Sequence, residues 1–183
     1  MSLDIAVSLS GKMGDFGVRA RRWSSRGVDA LIHSVATKYA IRAVCHIAHL
    51  GPGARSQVKE ISEALNIPQA FLSKILQDLA KKGILVSAKG PGGGFQLNCS
   101  ASETSLFTLV EAVEGSPAEG DCVLGLSLCA DDTKCPIHDT WKDIQDSFRE
   151  RMQATSIMDV VEADVRKRDA LTRELFVTLG GES

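Results

Sequence analysis

Nothing in this 183-residue chain is apolar for long enough to cross a membrane. Residues 1–30 do not read as a secretory signal, because their apolar residues are scattered and Arg19, Arg21, Arg22 and Arg26 come late rather than first. There is no flavin or nicotinamide fingerprint and no pairing of a nucleophile with a base. The glycine-rich loop "GPGGG" (Gly90–Gly94) lacks the following Lys-Ser/Thr and the strand-to-helix setting of a phosphate cradle. No internal repeat is evident. These absences argue against an enzyme and leave a small redox carrier as the remote alternative. They also place the chain, by expectation, in a reducing cytoplasm. There, clustered cysteines more often bind metal or sense redox state than form disulfides.

What is present is unevenly distributed. Hydrophobic residues make up 44% and charged residues 24%, enough to build an ordinary core. The net charge of −2 conceals a basic middle. Residues 31–98 carry +5, and residues 99–183 carry −9. Such a split suggests one surface for a polyanion and another for different work.

From Ala36 the pattern is helical, with Ala36, Tyr39, Ala43, Val44 and Ile47 on one face. "GPG" at Gly51–Gly53 ends that helix. Val58, Ile61 and Leu65 give a short second helix. "NIP" (Asn66–Pro68) is a turn, and Pro68 opens a third helix without losing a helical hydrogen bond. The third helix buries Leu72, Ile75, Leu76 and Leu79 and stops at Gly83. "ILVSA" (Ile84–Ala88), "KGPGGG" (Lys89–Gly94) and "FQLN" (Phe95–Asn98) then read as strand, turn and strand. Ser105 caps a further helix that Gly115 ends. A longer helix starts near Pro136 with the apolar stripe Trp141, Ile144, Phe148 and Met152. A last amphipathic segment, "TSIMDVVEADVRKR", leads to a polar tail.

This order is that of a winged helix-turn-helix, a mainly α fold. The third helix turns Gln69, Ala70, Ser73, Lys74 and Gln77 outward, short or hydrogen-bonding side chains that can enter a major groove. Lys89, Gly90 and Gly92 at the hairpin tip can approach the sugar–phosphate closely. Lys38, Arg42, Lys59, Lys81 and Lys82 are expected to add phosphate contacts.

"CVLGLSLCADDTKCPIH" (Cys122–His138) holds three of the five cysteines and one of the four histidines. The donor set is three thiols and an imidazole, suited to soft or borderline metals. The residues alone leave several readings open: a zinc site, an iron–sulfur cluster, a thiol–disulfide switch, or free thiols. Zinc ligands more often sit two to four residues apart, whereas spacings of six and five suit a larger inorganic core. Cys45 and Cys99 read as buried small hydrophobes.

"YAIRAV" (Tyr39–Val44), "VKEISEALNIP" (Val58–Pro68), "FLSKILQDLAKKGIL" (Phe71–Leu85), "GPGGGF" (Gly90–Phe95) and "VEAVEG" (Val110–Gly115) resemble the Rrf2 family of bacterial winged-helix regulators. The likeness runs from about Leu31 to about Arg168. It implies sequence-specific binding to a pseudo-palindromic duplex, a homodimer, and an iron–sulfur cluster at the dimer interface. On that resemblance the ligands are Cys122, Cys129, Cys135 and His138, the cluster is of the [2Fe–2S] type, and the chain is a transcriptional regulator rather than an enzyme. The resemblance implies a signal of iron–sulfur status, redox state or nitric oxide. Two departures stand out. The first cysteine spacing differs from the family's commoner one. Nitric-oxide-sensing members place a ligating aspartate just before the "YA" pair, where this chain has Lys38. The expected division is an irregular extension over 1–30, the winged helix over 31–115 and the cysteine-rich loop over 116–138. Dimerisation helices over 139–168, with Trp141, Ile144, Phe148 and Met152 at the interface, and a polar tail over 169–183 complete it.

Overall fold

The computed structural model of the chain describes residues 34–90, 92–115, 124, 126 and 132–178, with side chains as far as 171. Six helices and one hairpin account for most of them. Helix α1 spans Val35–His49, α2 Val58–Leu65 and α3 Gln69–Lys81. Strands β1 (Leu85–Ala88) and β2 (Gly94–Leu97) follow, then α4 (Leu106–Glu114), α5 (His138–Ala154) and α6 (Ile157–Thr178). The arrangement is a mainly helical winged helix-turn-helix with a small two-stranded sheet.

Each helix end has a local cause. Ser34 caps α1, its hydroxyl accepting from the Thr37 amide at 3.2 Å. Glu60 reaches back to the Gln57 amide at 2.8 Å, closing a capping box on α2. Asn66 ends α2 in the left-handed region at φ 51°, a conformation asparagine tolerates better than most residues. Pro68 is the N-cap of α3 and not its first helical residue. Beyond α3 the Ile84 amide bonds the Leu79 carbonyl at 3.0 Å, and the Gly83 amide bonds that of Ala80 at 3.1 Å. This is a Schellman stop, and it delivers the chain directly into β1. Ser105 caps α4 through the Thr108 amide at 3.1 Å.

The core forms around α1, which packs against α2, α3, α4, α6 and β2. Ala40, Ala43, Val44 and Ile47 supply its buried face and meet Leu72, Leu76, Leu79, Ile61, Leu109 and Ile157. Each fully buried leucine contributes about 1.5–3 kcal/mol relative to exposure. The strands pair antiparallel, with Val86 opposite Gln96 and Ser87 opposite Phe95. Ser56 extends the sheet, exchanging both backbone hydrogen bonds with Phe95 at 3.0 and 2.9 Å. Among the described residues no helix is long and apolar enough to cross a membrane.

Three expectations need correction. Helix α6 continues to Thr178, through most of the segment read as a polar tail from residue 169. Its Leu, Glu, Arg and Ala content favours helix without requiring a sustained apolar stripe. Cys99 is exposed rather than buried, because it lies just past β2, where the chain turns toward solvent. The α5 stripe is also divided. Trp141 and Met152 are buried within their own chain, Phe148 is half-buried, and Ile144 is 46% exposed. The expected extension over 1–30 lies outside the described residues, as does much of the loop over 116–138.

Candidate nucleic-acid interface and cysteine segment

Helix α3 buries Leu72, Ile75, Leu76 and Leu79 on one side. That anchoring leaves Gln69, Ala70, Lys74 and Gln77 exposed and Ser73 half-buried, as the periodicity requires. The Gln77 amide nitrogen donates to the Ser73 hydroxyl at 3.2 Å, one helical turn back, which holds the two polar side chains together. Phe71 lies 41% exposed near the start of α3 and meets Tyr39 edge to face, with ring centroids 5.8 Å apart.

The hairpin tip presents Lys89, Gly90 and Gly92 to solvent. Gly90 and Gly92 have φ values of 95° and 76°, so the tip depends on residues that adopt positive φ without strain. Gly94 is constrained twice. Its φ is 143°, and a Cβ there would lie 2.5 Å from the Ser56 carbonyl oxygen. The bridge between Ser56 and β2 can form this closely only because that atom is absent. Lys38 is exposed in the first turn of α1.

The remaining cations are less available than their charge suggested. Arg42 donates from Nη2 to the Leu65 carbonyl at 2.6 Å and so secures the end of α2. Lys81 pairs with Asp78 at 3.0 Å, Lys59 lies 4.0 Å from Glu63, and the Lys82 ammonium donates to the Ala112 carbonyl. One cation went unnoticed in the sequence. Arg55 donates from Nε to Gln96 Oε1 at 2.7 Å, which sets an exposed guanidinium at the base of the wing. Its signal was only its place before α2, and pairing with β2 is invisible until the sheet forms.

A polar clasp joins the two ends of the winged-helix domain. The Glu114 carboxylate, at the end of α4, accepts from the Ser34 amide at 3.0 Å and from the Thr37 hydroxyl. Thr37 is completely buried, so a charged acceptor satisfies its hydroxyl where water cannot. The cysteine segment leaves the domain at Gly115, directly beyond this clasp.

Within that segment, Cys122 and Cys129 lie outside the described residues. Cys135 is half-buried and His138 is buried at the first turn of α5. The His138 amide donates to the Cys135 carbonyl at 3.0 Å, so a single backbone turn joins the two residues at the entry to α5. No group of three metal-binding side chains is assembled among the described residues. Cys45 is different in kind. Burial first, and then the Asp164 carboxylate, push its thiol up to about 11, which keeps it protonated and unreactive.

The family model Rrf2, iron-dependent transcriptional regulator, matches residues 33–163. The HTH-type transcriptional regulator IscR of Vibrio atlanticus is 31% identical over 107 residues, covering 58% of this chain and 61% of that protein. Among solved structures, CymR (YrzC), the global cysteine regulator of B. subtilis, superposes with a TM-score of 0.61 at 18% identity, covering 71% of this chain and 95% of that one. IscR of T. potens superposes with a TM-score of 0.59 at 18% identity, covering 72% and 86%.

Proposed function

Because this chain belongs to the Rrf2 family of DNA-binding transcriptional regulators, we propose that it reads a pseudo-palindromic duplex as a homodimer and senses through an iron–sulfur cluster. The winged helix over 31–115 would bind the operator, with α3 entering the major groove and the Lys89–Gly92 tip on the backbone. Residues 139–168 would hold the dimer. The observation that carries the DNA half is the outward edge of α3, where Gln69, Ala70, Lys74 and Gln77 are exposed on a helix whose other face is fully anchored. Gln suits adenine and Lys suits guanine or phosphate.

The sensing half rests on the donor set. Three thiolates and one imidazole fit a [2Fe–2S] core, and the described pair, half-buried Cys135 and buried His138, is joined by one backbone turn at the entry to α5. Cys122, Cys129, Cys135 and His138 would hold the cluster, which would supply a redox- and nitric-oxide-sensitive centre. The protein's own contribution is to shield the imidazole and to join the loop to the DNA-binding domain at Gly115. The fold and charge pattern suit a cytoplasmic regulator of transcription.

Anaerobic purification followed by selection from random duplexes tests both halves. Brown protein with charge-transfer bands, and enrichment of a palindromic site, are expected. Colourless protein carrying zinc or free thiols would replace the cluster by thiol sensing, and failure to enrich any sequence would remove the operator reading.

A further inference from the structure

A cavity of about 340 Å³ opens between the start of α1, one flank of α3 and the end of α4. It falls within the size range of small-molecule sites, which are mostly apolar with a few convergent polar groups. Ala36, Phe71, Ile75 and Val113 are among the apolar residues that line it. Lys74, Lys81 and Lys82 bring three positive charges to the rim against the single negative charge of Asp78. Two of those cations are occupied. Lys81 holds Asp78 at 3.0 Å and Lys82 holds the Ala112 carbonyl. Lys74 makes no hydrogen bond or ion pair among the described residues, although its charge, after that of Lys81, helps keep the Asp78 carboxyl below its ordinary range.

We propose that this cavity is an effector site for a small organic anion with a flat apolar body, the body lying against Phe71, Ala36 and Val113 and the carboxylate engaging Lys74. Charge complementarity selects the class. A neutral ligand would leave the net positive rim uncompensated, and a cation would be repelled by it. The volume admits a bicyclic body and no large cofactor. A carboxylate on Lys74 gains a charge-assisted hydrogen bond, the stronger kind. The regulatory consequence rests on the reading of Lys74 as a DNA contact. A carboxylate on Lys74 would neutralise its charge and draw the ammonium toward the cavity and away from a base edge or phosphate, so ligand and operator would oppose each other, reciprocally.

The test uses the full-length protein and 2-naphthoate as the anionic probe, with 2-naphthamide as its neutral counterpart. Titration followed by backbone amide NMR is expected to give saturable shifts at Ala36, Phe71, Lys74 and Val113. The amide should bind about tenfold more weakly, and Lys74→Gln should remove that difference. Ala36→Trp, which fills the mouth, should abolish both titrations. Shifts located elsewhere, or equal affinity for acid and amide, overturn the site. Anisotropy of labelled operator duplex is a separate readout. Naphthoate should weaken wild-type DNA binding and leave that of Lys74→Gln unchanged. Saturable shifts at the cavity with undiminished DNA affinity would refute the effector role, whereas a protein that bound naphthoate but no duplex at all would refute the DNA reading alone.

Discussion

Lys74 and Lys89 carry the same charge on two different elements, and their removal should fail differently. Lys74→Ala or Gln77→Ala is expected to weaken specific binding by about 1–3 kcal/mol and to relax base preference, since both residues lie on the exposed edge of α3 proposed to enter the groove. Lys89→Ala should lower specific and non-specific affinity together, with a salt slope shallower by about one. Titrations at several salt concentrations against the selected site and a scrambled one check this, and three unaltered variants would remove α3 and the wing from the interface. His138 can be separated from the bystander cysteines in the same way. His138→Ala should give a more labile cluster with an altered visible spectrum, whereas Cys45→Ala and Cys99→Ala should change neither. An unaltered His138→Ala spectrum would place the fourth ligand elsewhere. The outward residues of α3 were legible because a helix with four anchored positions fixes the direction of the others. The role of Arg42 was not, because the carbonyl that occupies it belongs to Leu65, 23 residues away in sequence. Charge shows in a sequence, but the acceptor that consumes it does not.

At the scale of elements, the signals that held were short-range. Gly83, Ser105 and Gly115 end or begin helices where they were expected to, because capping depends on residues within one turn. Strand β1 starts one residue later than expected and ends where expected, and β2 lies one residue earlier at both ends, within the usual uncertainty of strand boundaries. What could not be read was the isolated bridge that Ser56 makes to β2. Ser56 lies 39 residues from Phe95 and carries no strand pattern of its own. Gly94 makes that contact testable. Gly94→Ala places a Cβ against the Ser56 carbonyl at a φ that suits glycine, and strain of this kind costs about 1–3 kcal/mol. Urea unfolding should show the loss, and wing-dependent DNA affinity should fall with it. A variant as stable as the parent would mean the Ser56 bridge can withdraw without penalty. The clasp at Glu114 was likewise hidden, since its partners Ser34 and Thr37 stand about eighty residues earlier.

At the scale of the whole molecule, assembly turns on the apolar stripe of α5. Ile144 is exposed and Phe148 half-buried on α5, between the buried Trp141 and Met152. Ile144 is therefore the part of the stripe that a second copy would cover if the chain dimerises as proposed. Phe148→Asp should yield a folded monomer by light scattering, with circular dichroism confirming the fold. A dimer that persists would assign the stripe to its own domain. Stability should also depend on pH through His46, where α1 faces Glu60 of α2 and Arg168 of α6. Burial, then Arg168 and His49, lower its folded pKa from the ordinary 6.5, against a smaller opposing pull from Glu60. The unfolded chain then binds the proton more readily, so this contribution is intact above pH 6.5 and is lost as pH falls below it. His46→Gln should flatten thermal stability across that interval, and an unchanged profile would exonerate the residue. The backbone bonds between Ser56 and Phe95 carry a geometric consequence. They fasten the wing to the chain that enters α2, so the wing is braced, through α2, on the helix proposed to enter the groove, like the two jaws of a caliper. If both jaws meet the operator as proposed, a half-site with one base pair inserted between the two contacts should bind more weakly, because either the duplex must twist or the two Ser56–Phe95 bonds must give.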